Sequence, residues 1–60
     1  MNIDVKFIDT DSSVIKSMSL SVIPRVGEHI QINYELYEVV RVVHVIGIYV
    51  NTVDIYLGCM

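Results

Sequence analysis

Few side chains in this sequence could do chemistry, and their spacing does not bring them together. Cys59 is the lone cysteine. A thiol nucleophile needs a base held beside it, and a position one residue from the end of the sequence is a poor place to fix one. His29 follows Glu28 directly, and His44 lies between Val43 and Val45. Zinc sites draw on paired cysteine or histidine spacings of two to five residues. Cys59, His29 and His44 offer none of these, so no metal is expected. Each histidine reads as a strand or surface residue satisfied by solvent or a backbone carbonyl. Asp9 and Asp11 sit in Asp9-Thr10-Asp11-Ser12-Ser13, which lacks the glycine at position six and the glutamate at position twelve of a calcium loop. Turn chemistry accounts for them. No catalytic residue, cofactor ligand or metal ligand emerges, and 60 residues leave little room for a concave, preorganised pocket. The expectation is a protein that is not an enzyme, uses no cofactor and takes no small-molecule ligand.

The remaining polar chemistry belongs to surfaces. Tyr34, Tyr37, Tyr49 and Tyr56 could form a stacking platform for single-stranded nucleic acid if they shared one face. That use also needs a basic groove, whereas Lys and Arg total 4 against 7 Asp and Glu, for a net charge of −3. Lys6, Lys16, Arg25 and Arg41 are scattered, and phosphate binding relies on clustered cations. Nucleic acid is therefore disfavoured as a partner. Tyrosine suits a protein interface better, since its ring buries area at low entropic cost while its hydroxyl stays hydrogen-bonded.

The elements that carry these residues are strands. The chain has no alanine, but 11 valines and 9 isoleucines. Alanine is the best helix former, and β-branched residues fit a pleated surface. Ile3-Asp4-Val5-Lys6-Phe7 alternates apolar with polar and predicts a first strand with Ile3, Val5 and Phe7 buried. The Asp9–Ser13 cluster then makes a turn. Val14 to Val22 alternates again as a half-buried strand, with Met18, Leu20 and Val22 on the side of Val14, and Lys16 as the exception. Ser17, Ser19 and Ser21 point the other way, and the two strands are expected to pair as a hairpin.

Pro24-Arg25-Val26-Gly27 is the clearest turn, because proline fixes φ and glycine tolerates φ > 0. Ile30, Ile32 and Tyr34 predict the apolar face of a third strand. A turn from Asn33 to Leu36 leads to a fourth strand, Tyr37 to about Ile46, whose valines occupy both faces and place it centrally. Val53 to Leu57 closes the set, with Val53, Ile55 and Leu57 inward and Gly58-Cys59-Met60 as a frayed tail. One all-β domain spanning residues 1–60 follows. Its expected form is a five-stranded, strongly bent antiparallel sheet, an SH3-like small barrel or rolled meander.

The segment Ile46-Gly47-Ile48-Tyr49-Val50 breaks the alternation where the last hairpin must turn. It admits two readings. The fourth strand runs long and turns at Val50-Asn51-Thr52, keeping these residues in the core. Alternatively they form an apolar tip that packs on a second copy or a target, since contiguous exposed apolar patches mark contacts. Because so short a chain has a limited core, self-association is the expected extra source of stability. The expected interface is Ile46, Ile48, Tyr49 and Val50, with Tyr56 beside them from the next strand.

Two stretches carry a wider resemblance: Ile23-Pro24-Arg25-Val26-Gly27-Glu28-His29-Ile30-Gln31-Ile32, and Tyr37-Glu38-Val39-Val40-Arg41-Val42-Val43-His44. With the closing Val53-Asp54-Ile55-Tyr56-Leu57, this pattern resembles a class of very small all-β proteins encoded by bacteriophages. The likeness covers nearly the whole chain and departs from the pattern at Ile46 to Val50, where a polar loop is usual. Some small phage proteins of this kind block host defence systems by binding a defence protein, often as homodimers. The resemblance thus implies a non-enzymatic inhibitor of a host protein, acting as a homodimer in the host bacterial cytoplasm. A small structural or assembly component of a virion is the alternative, and a nucleic-acid-binding barrel ranks below it. A lone cysteine fits a reducing compartment. The N-terminus lacks the pattern of a signal peptide, and Val39 to Val50 is too short and too charged for a membrane span. A cytoplasmic protein with no membrane partner is expected.

Overall fold

A computed structural model describes residues 2–59 and shows five strands. They are β1 (Ile3–Ile8), β2 (Val14–Leu20), β3 (His29–Ile32), β4 (Glu35–Ile46) and β5 (Asn51–Cys59). The order across the sheet is β2-β1-β5-β4-β3. The all-β class and the five strands are those the alternation predicts, and the sheet curls strongly into a half-barrel.

Two units build it. β1 and β2 form an antiparallel hairpin, joined by a turn in which Asp9 N–H donates to Ser13 O at 2.8 Å and Ser12 N–H to Asp9 O at 2.9 Å. β3, β4 and β5 form an antiparallel meander. The units meet through β1 and β5, which run parallel with Val5 opposite Val53 and Phe7 opposite Ile55. The sheet is thus mixed where an antiparallel one was expected. Two locally antiparallel units can dock with either relative direction, and nothing in the local alternation sets that choice.

Closure also differs. β2 and β3 are the two ends of the strand order, so the barrel stays open along one side. A four-residue β3 offers little backbone to bridge the gap. β5, not β4, takes the middle position, while β4 is flanked on both sides by β5 and β3. Gly58 and Cys59 are strand residues opposite Glu38 and Tyr37, a correction to the expected frayed tail; Met60 lies outside the described residues.

The inner face of the curl holds the core: Val5, Phe7, Ile32, Tyr37, Val39, Val53, Ile55 and Leu57 are all buried. Val53, Ile55 and Leu57 point inward as predicted. Val14 and Met18 are exposed, so β2 is an edge strand with less burial than its alternation implies. The valines of β4 occupy both faces for a specific reason. Pairing shifts between Val39/Leu57 and Arg41/Tyr56, leaving Val40 as an extra residue in a β-bulge. Val39 is fully buried on one side of the bulge and Val42 packs against the same core on the other, while Val40 is exposed.

Three turns hold residues at positive φ, beginning with Ser12 at 70° between β1 and β2. Glu28 N–H donates to Arg25 O at 3.0 Å, and Gly27 adopts φ 94° as this four-residue turn demands. The Arg25 N–H is met by the Glu28 carboxylate at 2.6 Å. The turn is clasped to β4 by Gly27 N–H to Val39 O and Val39 N–H to Glu28 O, each 2.9 Å. The β3–β4 turn is tighter than expected: only Asn33 and Tyr34 separate the strands, with φ of 51° and 71°. Tyr34 therefore leaves the apolar face of β3 that the alternation assigned to it.

Candidate protein interface

The structure keeps the potential chemistry dispersed. His29 lies on β3 opposite Glu38, His44 on β4 opposite Val53, and both are exposed. Cys59 is an exposed free thiol at the end of β5. Among the described residues no three His, Cys, Asp or Glu side chains gather as metal ligands would. Asp9 and Asp11 hold their own turn: the Thr10 N–H donates to Asp9 Oδ1 at 2.7 Å and the Ser13 N–H to Asp11 Oδ1 at 3.0 Å. The Ser13 backbone bond, then its hydroxyl, holds the Asp11 carboxyl below its usual range.

The four tyrosines form no platform. Tyr37 is buried in the core, where its hydroxyl donates to Glu35 Oε2 at 3.1 Å. Burial, reinforced by that carboxylate, raises the Tyr37 pKa above the ordinary phenol value. Tyr34 and Tyr49 lie in the turns at opposite ends of β4. Tyr56 stands on the face of β5 away from the core, with the Arg41 guanidinium 4.5 Å above its ring centre.

What remains is the apolar tip. β4 ends at Ile46 and β5 begins at Asn51, so Gly47, Ile48, Tyr49 and Val50 form the loop, closed by Gly47 N–H donating to Val50 O at 2.7 Å. The reading in which these residues stay in the core does not hold. Ile46 is 79% exposed, Ile48 92%, Tyr49 96% and Val50 47%. Tyr56 does not join them: it pairs with Arg41, five residues before Ile46, which is about 17 Å along the strand. The expected cluster of five is thus a tip of four, with Tyr56 elsewhere.

A second exposed aromatic went unseen in the sequence. Tyr34 is 97% exposed at the other end of β4, two residues from the exposed Leu36. Its only signal was position: it follows Asn, a residue that tolerates positive φ, in what proves to be a two-residue hairpin loop. The open side of the half-barrel forms a groove of about 340 Å³ between Lys16 and Met18 of β2 and Ile30 and Ile32 of β3, floored by Phe7. Among the described residues no helix is long and apolar enough to cross a membrane. In comparisons with protein-family models, curated proteins and solved structures, nothing matches this chain.

Proposed function

We propose that this chain is a protein-binding module that acts by contact rather than catalysis, with Ile46, Ile48, Tyr49 and Val50 as the residues that meet its partner. The carrying observation is the exposure of four apolar side chains at one hairpin tip, Ile46 at the end of β4 and Ile48, Tyr49 and Val50 in the loop. Burying a side chain of this size is worth about 1.5–3 kcal/mol, so leaving several in water forgoes much of what a small domain needs. A hairpin tip is also a shape that enters a concavity on another protein, and tyrosine is enriched among the anchors of such contacts. In line with the resemblance to small phage proteins, the partner is a bacterial host protein and the effect is inhibition.

Affinity capture from bacterial lysate tests the reading when run beside the tip variant Ile48→Asp with Tyr49→Asp. The tagged parent is expected to retain a defined protein that the variant releases, with the variant's melting curve unchanged. Equal retention by both forms would remove the tip from the contact.

A further inference from the structure

We propose that the open side of the half-barrel receives one extended segment of a partner protein, apolar at alternate positions and acidic at one of them, which adds to β3 as a further strand. This surface is separate from the hairpin tip, and the proposal does not depend on the tip's partner. The two ends of the sheet, β2 and β3, differ in what they offer a strand. Pairing of β2 with β1 passes from Lys16/Phe7 to Val14/Ile8, so Ile15 is an extra residue and the bulge blunts that edge. β3 pairs with β4 without a break from His29/Glu38 to Ile32/Glu35. It holds no proline and no lysine to deter a neighbour, and its four residues suit a short segment.

Backbone bonding decides which groups of β3 are open to a new strand. Val39 N–H donates to Glu28 O at 2.9 Å. Backbone bonds alternate along an antiparallel pair, so Ile30 and Ile32 turn theirs toward β4. His29 and Gln31 turn their N–H and C=O groups to the open side. A segment bonded to those two residues places the side chain opposite Ile30 on the concave face, and the next but one beside Ile32. These side chains enter the groove over Phe7, whose far wall is Lys16 and Met18 of β2. Because β2 stands across the groove, the space beside β3 takes one strand and not the several of a second copy's sheet. Lys16 is the single charged residue among those that line it. Its ammonium selects a carboxylate on the incoming segment, and the apolar residues of that segment cover Phe7 and Met18. Strand addition draws affinity from backbone bonds and selectivity from pockets for alternate side chains.

Titration with a blocked synthetic peptide, Thr-Val-Thr-Val-Thr-Glu-Thr, followed by amide hydrogen exchange, tests this. In the free protein the His29 and Gln31 amides are expected to exchange fast, and saturating peptide is expected to slow both about tenfold. The same peptide with Lys in place of Glu is expected to bind several-fold more weakly, and Lys16→Glu to reverse that preference. Gln31→Pro removes an outward N–H without touching the bonds to β4, a place where an edge strand tolerates proline. It is expected to keep the β spectrum and lose the peptide. Ile48→Asp, at the hairpin tip, is expected to bind the peptide as the parent does. The proposal is overturned if millimolar peptide leaves the two amides unprotected, if Gln31→Pro binds as well as the parent, or if Ile48→Asp loses binding. Equal binding of the Glu and Lys peptides overturns the acidic occupant. Protection that exists without peptide and rises with protein concentration would give the groove to a second copy instead. If Gln31→Pro fails to fold, the reversal in Lys16→Glu decides.

Discussion

Positive φ is where single residues speak most clearly in this chain. Gly27 at φ 94° and Tyr34 at φ 71° occupy similar backbone territory with opposite suitability. A Cβ built on Gly27 meets no atom within 4 Å, so a substitution there is penalised by conformation alone. Gly27→Ala is expected to destabilise by roughly 1–2 kcal/mol and lower the Tm by several degrees in a differential scan. Tyr34→Gly is expected to act the other way, raising the Tm, since Asn-Gly is the preferred pair for a two-residue hairpin loop. A Tm that falls in Tyr34→Gly would show that the exposed ring packs on something within its own chain. Gly27 was legible because Pro-x-x-Gly carries its own turn chemistry. Tyr34 was not, because Ile30, Ile32 and Tyr34 keep the spacing of a strand straight through the turn. Tyr37 adds a pH dependence. Its raised pKa means that the folded state favours the neutral phenol, so this contribution is whole below about pH 10, the unfolded tyrosine value. It is lost as pH rises through the higher folded value. Tyr37→Phe is expected to flatten that alkaline loss and, by removing the bond to Glu35, to lower stability near neutral pH. Denaturant melts at pH 7 and above pH 10 would read both effects.

At the scale of elements, alternation located all five strands but gave their ends poorly. β5 runs two residues beyond its predicted end, because Gly58 and Cys59 find backbone partners in Glu38 and Tyr37. The bulge at Val40 left no mark in the sequence beyond valines on both faces, a pattern that a fully buried strand shares. Its position is tied to β5 by Gly58, where an added Cβ would come within 3.0 Å of Val40 Cγ1. Burial sorts the expected mutational effects. Leu57 is buried in the middle strand, so Leu57→Ala is expected to cost about 2–5 kcal/mol, which is most of what so small a domain holds in reserve. Ile48→Asp at the exposed tip is expected to change stability by no more than about 0.5 kcal/mol. Chemical denaturation of the two variants side by side checks the contrast. The tip itself was half legible: broken alternation marked Ile46 to Val50 as unusual, and only the length of β4 showed that the turn falls there. Tyr56 was misplaced because neighbouring strands were known, but not the register between them.

The whole molecule was the least legible scale. Pairing between β1 and β5 joins residues about fifty positions apart, and no local pattern encodes such a contact or its parallel sense. The open side follows from the same global arrangement, because β2 and β3 end on opposite sides of the sheet with nothing between them. The curl, the five strands and the buried alternating positions could be read from composition and period. The order of strands could not.

That order sets what the sheet must have before it can fold. The middle strand is the last of the five in sequence. Without β5, the remaining contacts join β1 only to β2 and β3 only to β4, leaving two separate hairpins. Isolated hairpins are marginal in water, so residues 1–50 are held unfolded until β5 joins them. Residues 1–50 and a peptide of residues 51–60 are therefore expected to be unstructured apart and to gain a β spectrum on mixing. The sheet would then assemble in one abrupt event, with the four earlier strands waiting on the fifth.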